Sequence, residues 1–296
     1  MIKKYFFTFI FFILLSVAVL FADIPAFKEY DIASSKKIMQ AEEVLNKTIE
    51  LVNGFFESDH ASRQEILSKI QVLNEKMSLL NAGVENLTVD GSLEDIHNVD
   101  VNVLANYLHA VFLAGETVKD YNSEYVEDYI KALEKLKEIS RIIYHTKIAR
   151  IKKQSEYIEK TKFEGEALKF YAYYGQVLDI LKSSVKTSLD VDLYSFQYLG
   201  GEIEKYELKI LIQDNLEQAK KDLKKCREIK PPENFKKIHD ILSEAYYKNY
   251  IMLKMFSDYL SDAKNINMRD VNELSSQVKE LFAEYQFQRF RYMENI

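Results

Sequence analysis

Two glutamate–histidine pairs at a spacing of three, Glu57…His60 and Glu94…His97, are the sharpest chemistry this sequence offers. On a helix, residues i and i+3 share a face. Two such pairs with two further glutamates are how a four-helix bundle holds two iron ions. The surroundings argue against that use. Both pairs fall at helix ends or in loops rather than in mid-helix, so no metal site is expected. The other histidines, His109, His145 and His239, lack the His-x-x-x-His and Cys-x-x-Cys-His spacings of zinc peptidases and haem attachment. His109 lies on an apolar helix face, the place of a hydrogen-bonded core histidine. His97 and His239 each follow an isoleucine near a helix start and are expected to bond across to a neighbouring helix.

Other catalytic patterns are missing from the sequence. Gly200-Gly201 has neither the third glycine nor the preceding strand of a phosphate-cradling loop. No serine sits in a Gly-x-Ser-x-Gly elbow. Cys226 is the one cysteine, so no disulfide forms within the chain. Lys224, Lys225 and Arg227 beside it would lower its pKa if it were exposed; a place on a helix flank is expected. The chain is therefore read as no enzyme and as needing no cofactor.

Tyrosine is abundant, at 20 residues with no tryptophan. Tyr121, Tyr125 and Tyr129 are spaced to share one helical face, and Tyr246, Tyr247 and Tyr250 cluster. Tyr171, Tyr173 and Tyr174 are the candidate binding residues. Three of four successive positions are not expected to face one core, so part of this cluster should lie open to a ligand or partner.

The elements around these residues read as helices. Glycine is 8 and proline 3 of 296 residues, too few turn formers for a β sandwich or barrel. Hydrophobic residues at 47% exclude disorder over most of the length. Apolar residues recur at helical spacing in Ala41, Leu45, Ile49, Val52 and again in Ile66, Ile70, Leu73, Met77, Leu80. A third stripe, Val103 to Phe112, is apolar over a wide arc and should be central. Ser62 with Glu65 is expected to cap the second helix, with Gly83 closing it. Asn122 or Ser123, Thr161 with Glu164, and Asn267 are further caps. Pro231-Pro232 stops the sixth helix. The fold class is all-α: about eight amphipathic helices, as two four-helix bundles in tandem or one elongated coiled-coil-like bundle.

An internal repeat would decide between those architectures. Ile96-His97 and Ile238-His239 each open a helix, 142 positions apart. Upstream, Leu73 and Leu80 match Leu216 and Leu223 with one residue gained. Downstream, Val126, Leu133 and Leu136 match Val271, Val278 and Leu281. The expected division is a leader at 1–22 and bundles at 23–160 and 161–296.

The N-terminus gives the location. Lys3 and Lys4 precede a stretch from Tyr5 to Ala22 in which no residue is charged. A basic start, an apolar run and a small residue before the polar chain is a secretory signal pattern, here long enough to act also as an uncleaved anchor. Either way the rest is placed outside the cytoplasm, periplasmic or secreted, touching a membrane only through residues 1–22. The net charge of −6 argues against nucleic acid, which wants a basic face. The local run Lys147, Arg150, Lys152, Lys153 is expected on a solvated face. The functional expectation is an exported, non-catalytic interaction or scaffold module with a protein partner or a second copy of itself. The alternative is a small-molecule binding or sensing bundle.

Overall fold

The computed structural model describes residues 25–57, 62–89, 91–121, 125–160, 165–262 and 266–294. The leader, His60, and the caps expected at Asn122 or Ser123 and at Thr161 with Glu164 lie outside the described residues, as does the Glu57 side chain. The described chain is all-helical, with helix packed on helix in a bundle-like arrangement and no strand among the described residues. The helices are α1 (Pro25–Glu57), α2 (Arg63–Glu85), α3 (Glu94–Asp120), α4 (Val126–Lys160), α5 (Gly165–Leu199), α6 (Lys205–Glu228), α7 (Lys236–Leu260) and α8 (Met268–Met293). Short 3₁₀ turns, Gly91–Leu93 and Glu233–Phe235, lead into α3 and α7.

Local chemistry sets the ends. Ser62 caps α2, its Oγ accepting from the Glu65 N–H, and Asn267 caps α8, its Oδ1 accepting from the Asp270 N–H at 3.0 Å. The Glu204 N–H donates to the Glu207 carboxylate at 2.8 Å at the start of α6. Gly201 at φ +75° makes the turn after α5, a conformation only glycine adopts without strain. The α6 helix ends before Pro231-Pro232, as expected. Gly83 does not end α2; the helix runs two residues further, and the Asn86 N–H bonds back to the Ala82 carbonyl. Likewise α5 continues well beyond Leu189, because Val191, Ser195 and Phe196 extend its buried face.

Each helix packs on the next in sequence, and α1 also packs on α3. The buried apolar residues gather in two clusters. One is built from α1 to α4 and includes Phe196 from α5; the other is built from α5 to α8 and includes Tyr30, Leu93, Ile96 and Ile151.

The second half repeats the first, element for element. The helix starts α2/α6, α3/α7 and α4/α8 and the two 3₁₀ turns are all offset by 142 positions (63 to 205, 94 to 236, 126 to 268, 91 to 233). Leu93 and Phe235, which end the 3₁₀ turns, share nearly the same backbone, φ −105° and ψ −2° against φ −105° and ψ −3°. Burial follows the same offset. In α2 and α6 the buried pairs are Ile66/Leu208, Ile70/Ile212, Met77/Ala219 and Val84/Cys226. In α3 and α7 they include Val103/Ala245, Leu104/Tyr246, Val111/Leu253 and Val118/Leu260. The α1 and α5 helices match one position further along, as in Tyr30/Tyr173 and Ile38/Leu181.

These pairs correct two registers drawn from the sequence. Leu80 pairs with Asp222 rather than Leu223, and Leu136 with Val278 rather than Leu281. Apolar residues recur every three or four positions, so a sequence match slides by a residue or a turn at little loss. Burial does not slide.

Because the Asn267 side chain satisfies an otherwise orphaned N–H, Asn267→Ala is expected to cost ~1 kcal/mol. The check is urea unfolding, with a lower midpoint and an unchanged slope.

Candidate functional site

Tyr171, Tyr173 and Tyr174 are all buried, at 3%, 2% and 1% exposure. The expectation that part of this cluster lies open is therefore corrected. The α5 helix is covered on two sides, by α4 and by α6, so successive positions meet different neighbours. Phe170 stacks on Tyr174 at 5.8 Å between ring centres and meets the Phe235 edge at 5.2 Å. The Arg289 guanidinium lies 4.7 Å over the Tyr174 ring.

The other tyrosine sets separate. Tyr121 caps the end of α3, Tyr125 precedes α4 and Tyr129 lies within it, so they do not share a helical face. Tyr246 is buried, while Tyr247 is 40% exposed.

One residue pair is built twice. Tyr30 OH lies 3.2 Å from His97 Nδ1, and Tyr173 OH lies 3.1 Å from His239 Nδ1. Both ring pairs are edge-on, at 70° and 80°. The histidines do bond across to a neighbouring helix, to tyrosines in the early turns of α1 and α5. This use of Nδ1 also commits His97 to a protein partner.

Beyond that pair the halves differ. In the first half Tyr30 OH also donates to Asp100 Oδ2 at 3.3 Å. Arg150 Nε donates to Asp100 Oδ1 at 3.1 Å, and its terminal nitrogen to Ser35 Oγ at 3.4 Å. Two turns along α1, Lys147 Nζ lies 3.6 Å from Glu42 Oε1, to which Tyr107 OH donates at 3.2 Å. Asp100, Glu42, Lys147 and Arg150 are all buried. This ladder of ion pairs joins α1, α3 and α4. It corrects the reading of Lys147 and Arg150 as part of a solvated face: they point inward, where two acids meet them. Lys152 is exposed and Lys153 half-buried, so the basic run straddles two faces.

In the second half His239 Nε2 lies 3.3 Å from Ser243 Oγ, which is 3.6 Å from Cys226 Sγ. Cys226 is buried on the core face rather than on a flank, and burial pushes its thiol up to about 11. It is therefore no reactive thiolate. Burial also pushes His239 below the usual histidine value.

His109 is exposed and stacks on Phe112 at 6.4 Å, not in the core, and Phe112 is 53% exposed. His145 lines an open groove of about 500 Å3 between α3 and α4, with Asn102, Asn106, Glu138 and Arg141. Asn106 Nδ2 donates to Thr146 Oγ1 at 3.0 Å and ties the two helices there. Among the described residues, no group of three or more His, Cys, Asp or Glu is placed to hold a metal ion.

No protein family, characterised protein or solved structure matches this chain.

Removing one member of the buried ladder leaves a charge without its counter-ion. Arg150→Met is expected to cost ~3–5 kcal/mol, whereas Asp100→Leu with Arg150→Tyr, the residues at the matching positions of the second half, recovers most of that loss. Urea unfolding of the single and double variants checks it.

The ladder also sets a pH dependence. Burial, outweighing the attraction of Glu42, pushes Lys147 down to about 8 from 10.5. Below pH 8 it is protonated in both folded and unfolded chains, and its burial cost is felt in full. Between about 8 and 10.5 the folded chain has released that proton and the unfolded chain has not. Stability relative to Lys147→Met should therefore rise across that window, by up to ~1.4 kcal/mol per pH unit. Paired unfolding curves at pH 7.5 and about 9.5 test the sign.

Proposed function

We propose that this chain is an exported, non-catalytic helical module that works as a scaffold or interaction protein outside the cytoplasm. The observation that carries the reading is on α2 and α6, the matching outer helices of the two halves. Val72 and Leu79 on α2 are 62% and 74% exposed, and Tyr206 and Ile210 on α6 are 71% and 47% exposed. Scattered apolar side chains are ordinary on a surface. Two large ones a turn or two apart on each of two matching helices fit a contact surface for a protein partner or a second copy.

Export rests on the basic start and uncharged run of residues 1–22. Among the described residues no helix is long and apolar enough to cross a membrane. A mature chain held only by its leader, or released from it, accords with that. The sensing alternative draws on the α3–α4 groove, whose Glu138, Arg141 and His145 could orient a small polar molecule.

Native mass spectrometry of the chain expressed with its leader in a bacterial host tests both readings. The expected result is protein outside the cytoplasm, with a multimer or partner-bound mass. Val72→Asp with Leu79→Asp should reduce that mass to the bare monomer without lowering the melting temperature. Recovery in the cytoplasm rejects export. A monomer carrying a small mass that is lost on denaturation rejects the scaffold reading in favour of the sensor.

A further inference from the structure

Between residues 220 and 237 the chain carries seven lysines, one arginine and three acids, a net charge of +5 in a protein whose total is −6. Lys220, Lys221, Lys224, Lys225 and Arg227 occupy the outward arc of the last turns of α6, opposite the buried Ala219, Leu223 and Cys226. Lys230 follows in the connection, and Lys236 and Lys237 open α7. All eight basic residues are exposed. Among the described residues only Lys224 of this set has an ion-pair partner, Glu228 at 3.8 Å on the same helix.

The first half serves as an internal control. Its matching positions, 78–95, hold no lysine or arginine and four acids, Glu85, Asp90, Glu94 and Asp95. The same frame folds on that sequence, so packing does not call for the basic set. Elsewhere the chain answers lysines with acids, as in Lys47 with Glu43 and Lys135 with Asp120. Like charges crowded together without counter-ions repel one another, a cost that a negatively charged partner removes.

The patch sits at the end of the molecule where the leader joins. Asp23 and Ile24 alone separate the uncharged run from Pro25, the first residue of α1, a reach of at most ~10 Å. Lys36, three turns into α1, pairs with Glu294 at the end of α8 at 3.1 Å. Two residues before Glu294, the Tyr292 ring packs 4.9 Å from that of Phe235, the residue preceding Lys236 and Lys237. Tyr30, nearer the start of α1, shares an apolar cluster with Phe235 and Cys226. Attraction to a charged surface fades over ~8 Å at physiological salt, so only charges at this end meet a membrane that the leader has reached.

We propose that this corner of α6 and α7 docks on anionic lipid headgroups, giving the chain a membrane contact beyond residues 1–22. It takes from the export reading only the membrane that the leader reaches. The composition favours lipid over a protein partner. Lysine is depleted in protein interfaces and arginine enriched, whereas a lysine-rich cluster beside a membrane segment is held by lipid phosphates through charge alone. Lysine is also a flexible point charge, suited to a fluid layer of headgroups rather than to one fixed carboxylate.

Lysine footprinting tests this. The full chain, purified from a bacterial host, is treated with N-hydroxysuccinimidyl acetate in the presence of vesicles. One set is one part phosphatidylglycerol to two parts phosphatidylcholine; the other is phosphatidylcholine alone. Acetylation of Lys230 should slow several-fold on the anionic vesicles only, while exposed Lys76 on α2 reacts equally in both. The protection should vanish in about 0.5 M sodium chloride, where screening shortens to about 4 Å. It should also vanish when Lys224→Gln, Lys225→Gln, Lys236→Gln and Lys237→Gln are combined, with the melting temperature unchanged. Equal acetylation of Lys230 on the two vesicles overturns the proposal, as does protection that survives high salt. Protection by duplex DNA or by polyglutamate at a lower charge concentration than by the anionic vesicles overturns it in favour of nucleic acid or an acidic protein. The vesicles are supplied in vitro, so a failure here is distinct from recovery of the chain in the cytoplasm, which rejects export.

Discussion

The buried faces of α3 and α7 constrain everything around them. Each must hide apolar side chains from water against more than one neighbour, α3 against α1, α2 and α4, and α7 against α6 and α8. A helix covered on one side tolerates a sliding partner. A helix covered on several sides does not, because moving it exposes one face while overpacking another. Burial accordingly keeps the 142-position offset along both helices. Val103/Ala245, Leu104/Tyr246 and Val111/Leu253 hold the same depth in the two halves although their volumes differ. The tyrosine–histidine pair is the polar part of the same constraint. It fixes the early turns of α1 to α3, and of α5 to α7, at one height.

Within that common frame the two halves satisfy their interiors in different ways. The first answers buried charge with buried charge: Asp100 with Arg150, Glu42 with Lys147. Such pairs add little net stability, since desolvation of both ions offsets their attraction. Their effect is on geometry. A charged group two turns out of place would face hydrocarbon, so α1, α3 and α4 have one low-energy register. The second half carries Val185 and Leu242 where the first has Glu42 and Asp100, and keeps a cation only at Arg289, which matches Lys147. Arg289 is set over the Tyr174 ring, a softer and less directional partner than a carboxylate.

The helical class, the Pro231-Pro232 stop and the caps at Ser62 and Asn267 were legible because each depends on a few adjacent residues. So was the 142-position offset at Ile96-His97 and Ile238-His239, where an unusual dipeptide breaks the ambiguity of apolar spacing. What could not be read depends on which face meets which helix. Lys147 and Arg150 look like a solvated run until Glu42 and Asp100, distant in sequence, arrive beside them. Tyr171, Tyr173 and Tyr174 look too crowded for one core because α5 is covered by more than one helix. His109 shows the converse. It sits on an apolar helix, but on the face where Phe112 too is left exposed.

The outer faces diverge as much as the interiors. At the positions of Val72 and Leu79 on α2, the α6 helix carries Asp214 and Lys221. At the positions of Tyr206 and Ile210 on α6, the α2 helix carries Gln64 and Ser68. All of these residues are exposed, so packing in the core does not dictate the difference. A partner that buries the apolar pair of α2 would meet an acid and a lysine on α6 and would have to desolvate them without a counterpart. Under the scaffold reading, then, the repeat does not present one surface twice. It carries two unlike surfaces on one frame, which is the arrangement expected of a module that joins two different contacts rather than one that binds the same partner in duplicate.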